Sequence, residues 1–354
     1  MSDQNHWPMR FDKEMSAIVK GLALIFMMLL HCYADFHYDV ALDYSNVINP
    51  RLHGVFKVCI GLFTFMVGFG YSFSKNRNWS YALSHIKKLL IPFWVILLVF
   101  TFPFCWDDVT SCGWQKVVYN LFGIDSHFNY YSWFVYFFIF AMVVLPFISR
   151  VIDRSPLFCT LFFVVLSVLL MYVSHLVFDV STNQLAMALF NCFMMTPAML
   201  LGYLFGHKHY YERLNLNVLS KWLCLFLALT VFIATLWIRY YWWGWNGFQY
   251  DFFFVPMLIG SLVVIFNRFE LKPLRMMLVQ VGKVSTYMWF FHALFFTQAV
   301  RWFYQPAITI FNDVNLVVIW AIVLTFVISW LIKYTVDHVS AVLSSVIQGS
   351  AAKE

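Results

Sequence analysis

Charged residues are scarce in this sequence. Asp, Glu, Lys and Arg make up 11% of its 354 residues, whereas 62% are hydrophobic, and the mean hydropathy is +0.74. A soluble globular domain has about 25% charged residues, so the composition excludes that class and indicates a polytopic membrane protein. No linker, low-complexity tract or soluble region long enough to fold alone interrupts the chain. Residues 1–354 are therefore expected to form one membrane-embedded helical domain.

Signals of several other protein classes are also missing. No cleavable signal peptide is visible, because a polar stretch precedes the first apolar run and no small-residue cleavage site follows a short apolar core. No histidine or cysteine has the spacing of a structural zinc site, so no metal is expected. Only two of the seven cysteines, Cys105 and Cys112, share a loop. In an oxidising compartment they could form a disulfide, or they could remain free.

Long apolar segments recur along the whole chain. Ten of them approach the length of a transmembrane helix, which takes about 20 mostly apolar residues. They cover residues 17–36, 54–74, 88–104, 131–149, 156–178, 186–206, 221–239, 251–267, 282–300 and 314–334. We therefore predict an all-α integral membrane protein with about ten transmembrane helices.

Positive charge is unevenly distributed between the loops. With both termini on one side, most of the 23 Lys and Arg residues fall on that side, while acidic residues divide almost evenly. Positive loops favour the cytoplasm, so both termini are expected to be cytoplasmic. The excess of Lys and Arg over Asp and Glu is then explained by orientation, and nucleic-acid binding is not needed to explain it.

The first predicted span carries two ionisable residues, Lys20 and His31, in an otherwise apolar run. An ionisable group inside a span is unfavourable enough that function is the default hypothesis. His31 lies roughly 16 Å beyond Lys20 at about 1.5 Å per residue. Asp35 shares a helix face with His31, where it could orient the imidazole as a general base for a hydroxyl or be only an interfacial acid. His292 is a second candidate, with hydrogen-bonded packing as the alternative.

Cations cluster in the predicted cytoplasmic loop SKNRNWSYALSHIKK, which includes Arg77, Lys87 and Lys88. Lys and Arg at a membrane surface suit the phosphates of a donor such as coenzyme A. The alternative explanation is that these cations set the orientation in the membrane and face anionic lipid headgroups.

Aromatic residues are dense in two predicted outer loops, FNYYSWF and RYYWWGWNGFQY. Flat rings stack on sugar faces, so Trp133, Trp243 and Trp245 are candidates for binding a sugar. Tryptophan and tyrosine also form anchoring belts at membrane interfaces, which is the alternative for these residues.

Five motifs, taken in order, resemble the bacterial acyltransferase family 3 of membrane-bound enzymes. They are KGLALIFMMLLH at 20–31, FTFMVGFGYSFSK at 63–75, SHIKKLLIPFW at 84–94, SWFVYFFIFAMVVLPFI at 132–148 and VGKVSTYMWFFH at 281–292. The first is the most specific, because a basic residue, a small residue and an apolar run precede a histidine at a fixed distance. Val67 stands where a serine is usual, and His85 and Lys88 stand where two arginines are usual. The resemblance covers nearly the whole chain.

The resemblance implies transfer of an acyl group, most often acetyl, from cytoplasmic acyl-coenzyme A to a hydroxyl of a glycan or lipid-linked sugar. It places the protein in the bacterial cytoplasmic membrane, among membrane lipids. Residues assigned to the donor's phosphates are Lys20, Arg77, His85, Lys87 and Lys88. His31, together with His292, would act as a base or as a covalent acyl carrier.

Three other functions fit the same buried polar residues. The main alternative is a multi-span transporter that exports a glycan or a small molecule. A scaffold component of an envelope polysaccharide system would make Lys20 and His31 structural. A different class of many-helix membrane acyltransferase is the third possibility.

Overall fold

The computed structural model describes residues 9–39, 51–177, 183–214, 216, 219–241 and 250–351, and these ranges contain helices but no β-strand. The α-helices are α1 (Lys13–Asp39), α2 (Leu52–Phe56), α3 (Val58–Ser72), α4 (Trp79–Val95), α5 (Trp106–Ser111), α6 (Trp114–Leu121), α7 (Phe134–Ile152), α8 (Pro156–Val177), α9 (Gln184–His207), α10 (Lys221–Tyr241), α11 (Asp251–Arg268), α12 (Lys272–Lys283), α13 (Ser285–His292), α14 (Arg301–Tyr304) and α15 (Val314–Ala351). A π-helical turn and a 3₁₀ turn extend α4 to Phe104.

Nine helical segments in the described ranges are long and apolar enough to cross a membrane. They are Lys13–Tyr33, Gly54–Ser72, Trp79–Phe104, Phe134–Ile152, Pro156–Val177, Gln184–His207, Lys221–Tyr241, Asp251–Arg268 and Val314–Val342. The protein is therefore an all-α polytopic membrane protein. Each of these segments overlaps one of the ten predicted spans.

The remaining predicted span, residues 282–300, is not one continuous helix. The chain leaves helical geometry at Val284 (φ −108°, ψ 6°), where α12 ends and α13 begins, and only a 3₁₀ turn follows α13. The helix is interrupted there, and its two parts have different main neighbours: α12 packs mostly against α1, whereas α13 packs against α15 as well as α1 and α4. Non-helical backbone is tolerated at membrane depth where protein surrounds it, and residues 287–297 are buried throughout.

Helix α1 lies at the centre of the bundle and contacts α3, α11, α12, α13 and α15. By contrast, most of the side chains of α8 and α10 are exposed and apolar. Such faces suit contact with lipid. Because α1 is surrounded by other helices, its ionisable residues Lys20 and His31 lie among protein helices.

Small residues bring α1 and α12 into backbone contact. A Cβ atom added at Gly21 would lie 2.1 Å from the carbonyl oxygen of Leu278, and one added at Gly282 would lie 2.0 Å from that of Ala17. Close approach of this kind is typical of small-residue helix packing in membranes. It fixes the position of Lys20, which adjoins Gly21, relative to the start of α13.

Candidate active site

Two histidines and a tyrosine from three separate segments meet inside the helix bundle, and one of the histidines is on α1. The Tyr131 ring stacks on the His31 ring with centroids 3.4 Å apart. Its centroid is 5.3 Å from that of His292, and the two ring planes are nearly parallel. The two imidazole centroids are 5.5 Å apart. The structure therefore brings together two of the predicted site residues, His31 and His292, and we call these three rings the histidine centre.

The hydrogen bond of His292 determines which of its nitrogens carries the proton. Its Nδ1 lies 3.2 Å from the carbonyl oxygen of Met288, which can only accept, so Nδ1 donates and Nε2 keeps the lone pair. The residue is fully buried, and Nε2 has no hydrogen-bond partner in the described parts of the chain. A buried acceptor left unpaired is destabilising. It is therefore a candidate to receive a proton from a bound substrate.

The loop that carries Tyr131 is tied to α13 and the turn after it. Three hydrogen bonds join them: Asn129 Nδ2 to Phe290 O (2.9 Å), Trp289 Nε1 to Tyr131 O (3.2 Å) and Tyr130 N to Thr297 Oγ1 (3.0 Å). These bonds hold Tyr131 against both imidazoles. Sequence reasoning missed Asn129, Tyr131 and Trp289. The sequence held one signal for this loop, the polar Asn129 within the aromatic stretch just before the predicted span 131–149.

A cavity of about 400 Å³ lies on the Lys20 side of the histidine centre. Most of its wall is aromatic or aliphatic and includes Phe63, Phe134 and Trp289, and Lys20 and His85 are among its few polar side chains. We call it the aromatic cavity. Trp289 also donates its hydrogen bond to the Tyr131 carbonyl. The indole therefore contacts both this cavity and the loop that carries Tyr131.

A larger cavity, of about 820 Å³, lies on the other side of the centre. Its walls are mainly polar: Gln115, Lys116, Tyr119, Asp125, Ser126, His127, Gln184, Gln298 and Arg301, together with Cys112, Tyr130 and Phe296. We call it the polar vestibule. The Phe296 ring lies 6.4 Å from the rings of both His31 and His292. The vestibule therefore borders the histidine centre at Phe296.

The predicted donor-binding residues fall in three different environments. Lys20 and His85 line the aromatic cavity, and His85 Nδ1 donates a 2.9 Å hydrogen bond to the Tyr81 carbonyl. Lys87 and Lys88 are exposed and do not line that cavity.

Arg77 is committed to other protein groups. Its Nη1 lies 2.7 Å from Asp153 Oδ2 and also donates to the Tyr203 hydroxyl, and Nη2 donates to the Ser72 carbonyl at 2.8 Å. These contacts join α3 to the α7–α8 loop and α9. The guanidinium of Arg77 therefore links segments of the protein to each other in this structure.

Four predicted site residues remain, and among them only the Trp133 side chain lies in the described part of the chain. Trp133 is half-buried beside Phe134 and lines neither the aromatic cavity nor the vestibule. The Asp35 side chain, Trp243 and Trp245 lie outside the part of the chain whose side chains are described.

The two loop cysteines are not bonded to each other. Cys105 and Cys112 are both free thiols, and only Cys112 lines the vestibule. Burial raises the pKa of the Cys105 thiol to about 11. The thiolate is the reactive form, so Cys105 is unreactive at neutral pH.

The helices define a polytopic membrane protein, and the histidine centre inside the bundle is its candidate reaction site. The chain belongs to acyltransferase family 3, because the family's Acyltransferase domain matches residues 17–334, a range that contains every member of the histidine centre. The protein is therefore a membrane acyltransferase. Comparisons with curated proteins and with solved structures found no match.

Proposed function

We propose that this enzyme moves an acyl group, most often acetyl, from cytoplasmic acyl-coenzyme A to a hydroxyl of a cell-envelope glycan or lipid-linked sugar. The observation that supports this proposal best is the position of the histidine centre, between a mainly apolar cavity and a polar one. Two substrates of unlike chemistry would then meet at the same imidazoles.

The aromatic cavity suits the donor's pantetheine arm. This arm is about as long as four extended peptide residues, or roughly 14 Å. Lys20 and His31 are eleven positions apart on α1, which corresponds to roughly 16 Å. A donor whose first phosphates lie near Lys20 would therefore present its thioester close to the histidine centre once the Trp289 side chain moves aside.

The polar vestibule suits a sugar acceptor. Sugar hydroxyls need both donors and acceptors, which the side-chain amides of Gln115 and Gln298 supply. Tyr119 and Tyr130 add flat rings that can pack against the apolar face of a sugar. The acceptor hydroxyl would approach the imidazoles past Phe296.

The histidine centre supplies the proton transfer that the reaction needs. An imidazole nitrogen takes the proton of the acceptor hydroxyl while the hydroxyl oxygen bonds to the thioester carbonyl carbon. The C–S bond then breaks, its electron pair stays on sulfur, and the thiolate takes the proton from the imidazolium. We assign the first proton transfer to His31, which is half-buried, and a supporting acceptor role to His292.

The positive-inside prediction gives this reaction a direction across the membrane. If both termini are cytoplasmic, Lys13 and the aromatic cavity open towards the cytoplasm and the vestibule opens towards the outside. The enzyme would then use a cytoplasmic donor to modify an acceptor on the other face of the bacterial cytoplasmic membrane.

The proposal is tested with membranes that contain the native enzyme or the His31→Ala variant at matched expression. Labelled acetyl-coenzyme A is added, and label is measured in envelope glycans and lipid-linked sugars. We expect label in the polysaccharide or glycolipid fraction that alkaline ester cleavage releases, and none with the variant. Absence of label from native membranes with a panel of acyl donors would contradict the proposed donor and acceptor.

A further inference from the structure

A third cavity, of about 540 Å³, lies between α1 and α12. Three lysines line it: Lys13, Lys20 and Lys283. Among the described residues of its wall, the one acidic side chain is Glu14, whose carboxylate lies 3.3 Å from Arg275 Nη1. We call it the lysine cavity. Because its acid already has a cationic partner, the cavity is electrostatically suited to an anion.

The lysine cavity adjoins the aromatic cavity. The two share Lys20, Ser285 and Thr286 in their walls. Their combined walls extend from Lys13 to Trp289, which borders the histidine centre.

The spacing of the lysines matches the order of groups in a coenzyme A donor. Lys13 and Lys20 are seven residues apart, so they share a helix face and are separated by roughly 10 Å along the axis. Lys20 lies roughly 16 Å from His31 along α1. A pyrophosphate near Lys20 would therefore place the thioester near His31 and the 3′-phosphorylated ribose back towards Lys13 and Lys283.

The walls of the lysine cavity are held rigidly. Gly21 and Gly282 bring α1 and α12 into backbone contact, and Ala17 and Gly282 are themselves part of the cavity wall. The helices that carry the lysines are thus fixed relative to each other. A site on packed helices keeps its charges in place better than one on a loop.

The cations of the segment 74–88, which the sequence favoured for the donor's phosphates, are arranged differently. This segment is a loop only up to Asn78, and His85, Lys87 and Lys88 lie on α4. Arg77 is paired with Asp153, and Lys87 and Lys88 are exposed and line neither the lysine cavity nor the aromatic cavity. No Lys or Arg of this segment therefore lines either of the two cavities, and His85 lines the aromatic cavity.

We propose that Lys13, Lys20 and Lys283 bind the pyrophosphate and the 3′-phosphate of the acyl donor. This inference rests on the proposed function, because it takes coenzyme A thioesters as the donor. Lys20 holds the pyrophosphate at the junction of the two cavities, and Lys13 and Lys283 hold the 3′-phosphate at the cavity mouth.

The test measures binding of coenzyme A and of 3′-dephospho-coenzyme A to the purified full-length protein in lipid nanodiscs. The test variant combines Lys13→Gln with Lys283→Gln, both at exposed positions. Because the variant removes charge-assisted hydrogen bonds to the 3′-phosphate, we expect coenzyme A to bind about tenfold or more weakly. Binding of 3′-dephospho-coenzyme A should be almost unchanged.

Two further variants complete the comparison. Lys208→Gln with Arg213→Gln removes two cations from the same predicted cytoplasmic side. This variant should bind coenzyme A and 3′-dephospho-coenzyme A as the native enzyme does. Lys13→Arg with Lys283→Arg keeps the charges and should retain preference for the 3′-phosphate. An equal loss of affinity for both ligands in the Lys13→Gln, Lys283→Gln variant, with the Arg variant at native affinity, would contradict the inference.

The inference and the proposed function fail in different ways. If the native enzyme transfers acetyl from acetyl-coenzyme A but only Lys87→Gln with Lys88→Gln reduces 3′-phosphate preference, the lysine-cavity site is wrong and the proposed function stands. If the native protein binds neither form of coenzyme A, both are wrong.

Discussion

The aromatic cavity and the polar vestibule border the same histidine centre but are built from different parts of the chain. The aromatic cavity is enclosed by transmembrane helices such as α3 and α7 and by α13, and aromatic and aliphatic side chains form most of its wall. The vestibule is formed largely by the segments around α5, α6 and α14, and amides and charges dominate its wall. The helices are constrained by packing, whereas connecting segments tolerate change more readily.

This difference separates two kinds of specificity. Shape and apolar contact govern what fits between packed helices, so the aromatic cavity should select the acyl donor. Hydrogen bonding governs the vestibule, so it should select the acceptor. Substitutions in one cavity are therefore expected to change the kinetics of one substrate only, and substitutions at the histidine centre should affect the reaction with both.

The largest effect is expected at the histidine centre. His31→Ala should lower kcat by about 10²- to 10⁴-fold, because it removes the proposed general base, and change the KM of either substrate little. Steady-state kinetics with acetyl-coenzyme A and the identified acceptor measures this. His175→Ala, at an exposed position on α8, is the matched control and should behave as the native enzyme. A His31→Ala enzyme with native kcat would remove His31 from the mechanism.

A smaller loss is expected when the loop that positions Tyr131 is released from α13. Asn129→Leu removes the donor to the buried Phe290 carbonyl, and an unsatisfied buried group is destabilising by about 1–3 kcal/mol. We expect kcat to fall about tenfold while both KM values stay close to native. Asn191→Leu, which removes a 2.8 Å bond to the Tyr136 hydroxyl, is the control. Equal losses of kcat in the two variants would show that Asn129 has no special role in positioning.

Trp289→Leu should change donor selectivity alone. Replacing the indole enlarges the aromatic cavity where it borders the histidine centre. We expect kcat/KM for butyryl-coenzyme A relative to acetyl-coenzyme A to rise about tenfold, since one or two methylenes in an apolar pocket are discriminated by about that factor. The acceptor KM should be unchanged. An unaltered chain-length profile would mean that the acyl group is bound elsewhere.

The smallest effect is expected in the vestibule. Gln298→Ala removes one exposed amide from its wall. The loss of one neutral hydrogen bond, about 0.5–1.5 kcal/mol, should raise the acceptor KM roughly two- to tenfold and leave the donor KM unchanged. The opposite result, a raised donor KM with a native acceptor KM, would reverse the assignment of the two cavities.

Hydropathy was sufficient to predict most of the fold, because a transmembrane helix must be long and apolar whatever it packs against. It was insufficient for residues 282–300. The interruption at Val284 leaves the segment as apolar as a continuous helix would be, so only the structure shows where α12 ends and α13 begins.

The site could be predicted only where an ionisable residue stands inside an apolar span or belongs to a motif. His31 and His292 were identified in this way, and the structure brings them together. Tyr131 and Asn129 were missed because their contacts with α13 join residues about 160 positions apart. The ion pair of Arg77 with Asp153 was missed for the same reason.

The central claim is that acyl transfer occurs at the histidine centre between a donor on one side and an acceptor on the other. The most direct measurement uses sealed membrane vesicles of known orientation, with labelled acetyl-coenzyme A supplied only to the cytoplasmic face and the acceptor only to the opposite face. We predict ester-linked label on the acceptor with the native enzyme and none with His31→Ala. Label that forms only when donor and acceptor share one face, or that persists with His31→Ala, would contradict this account.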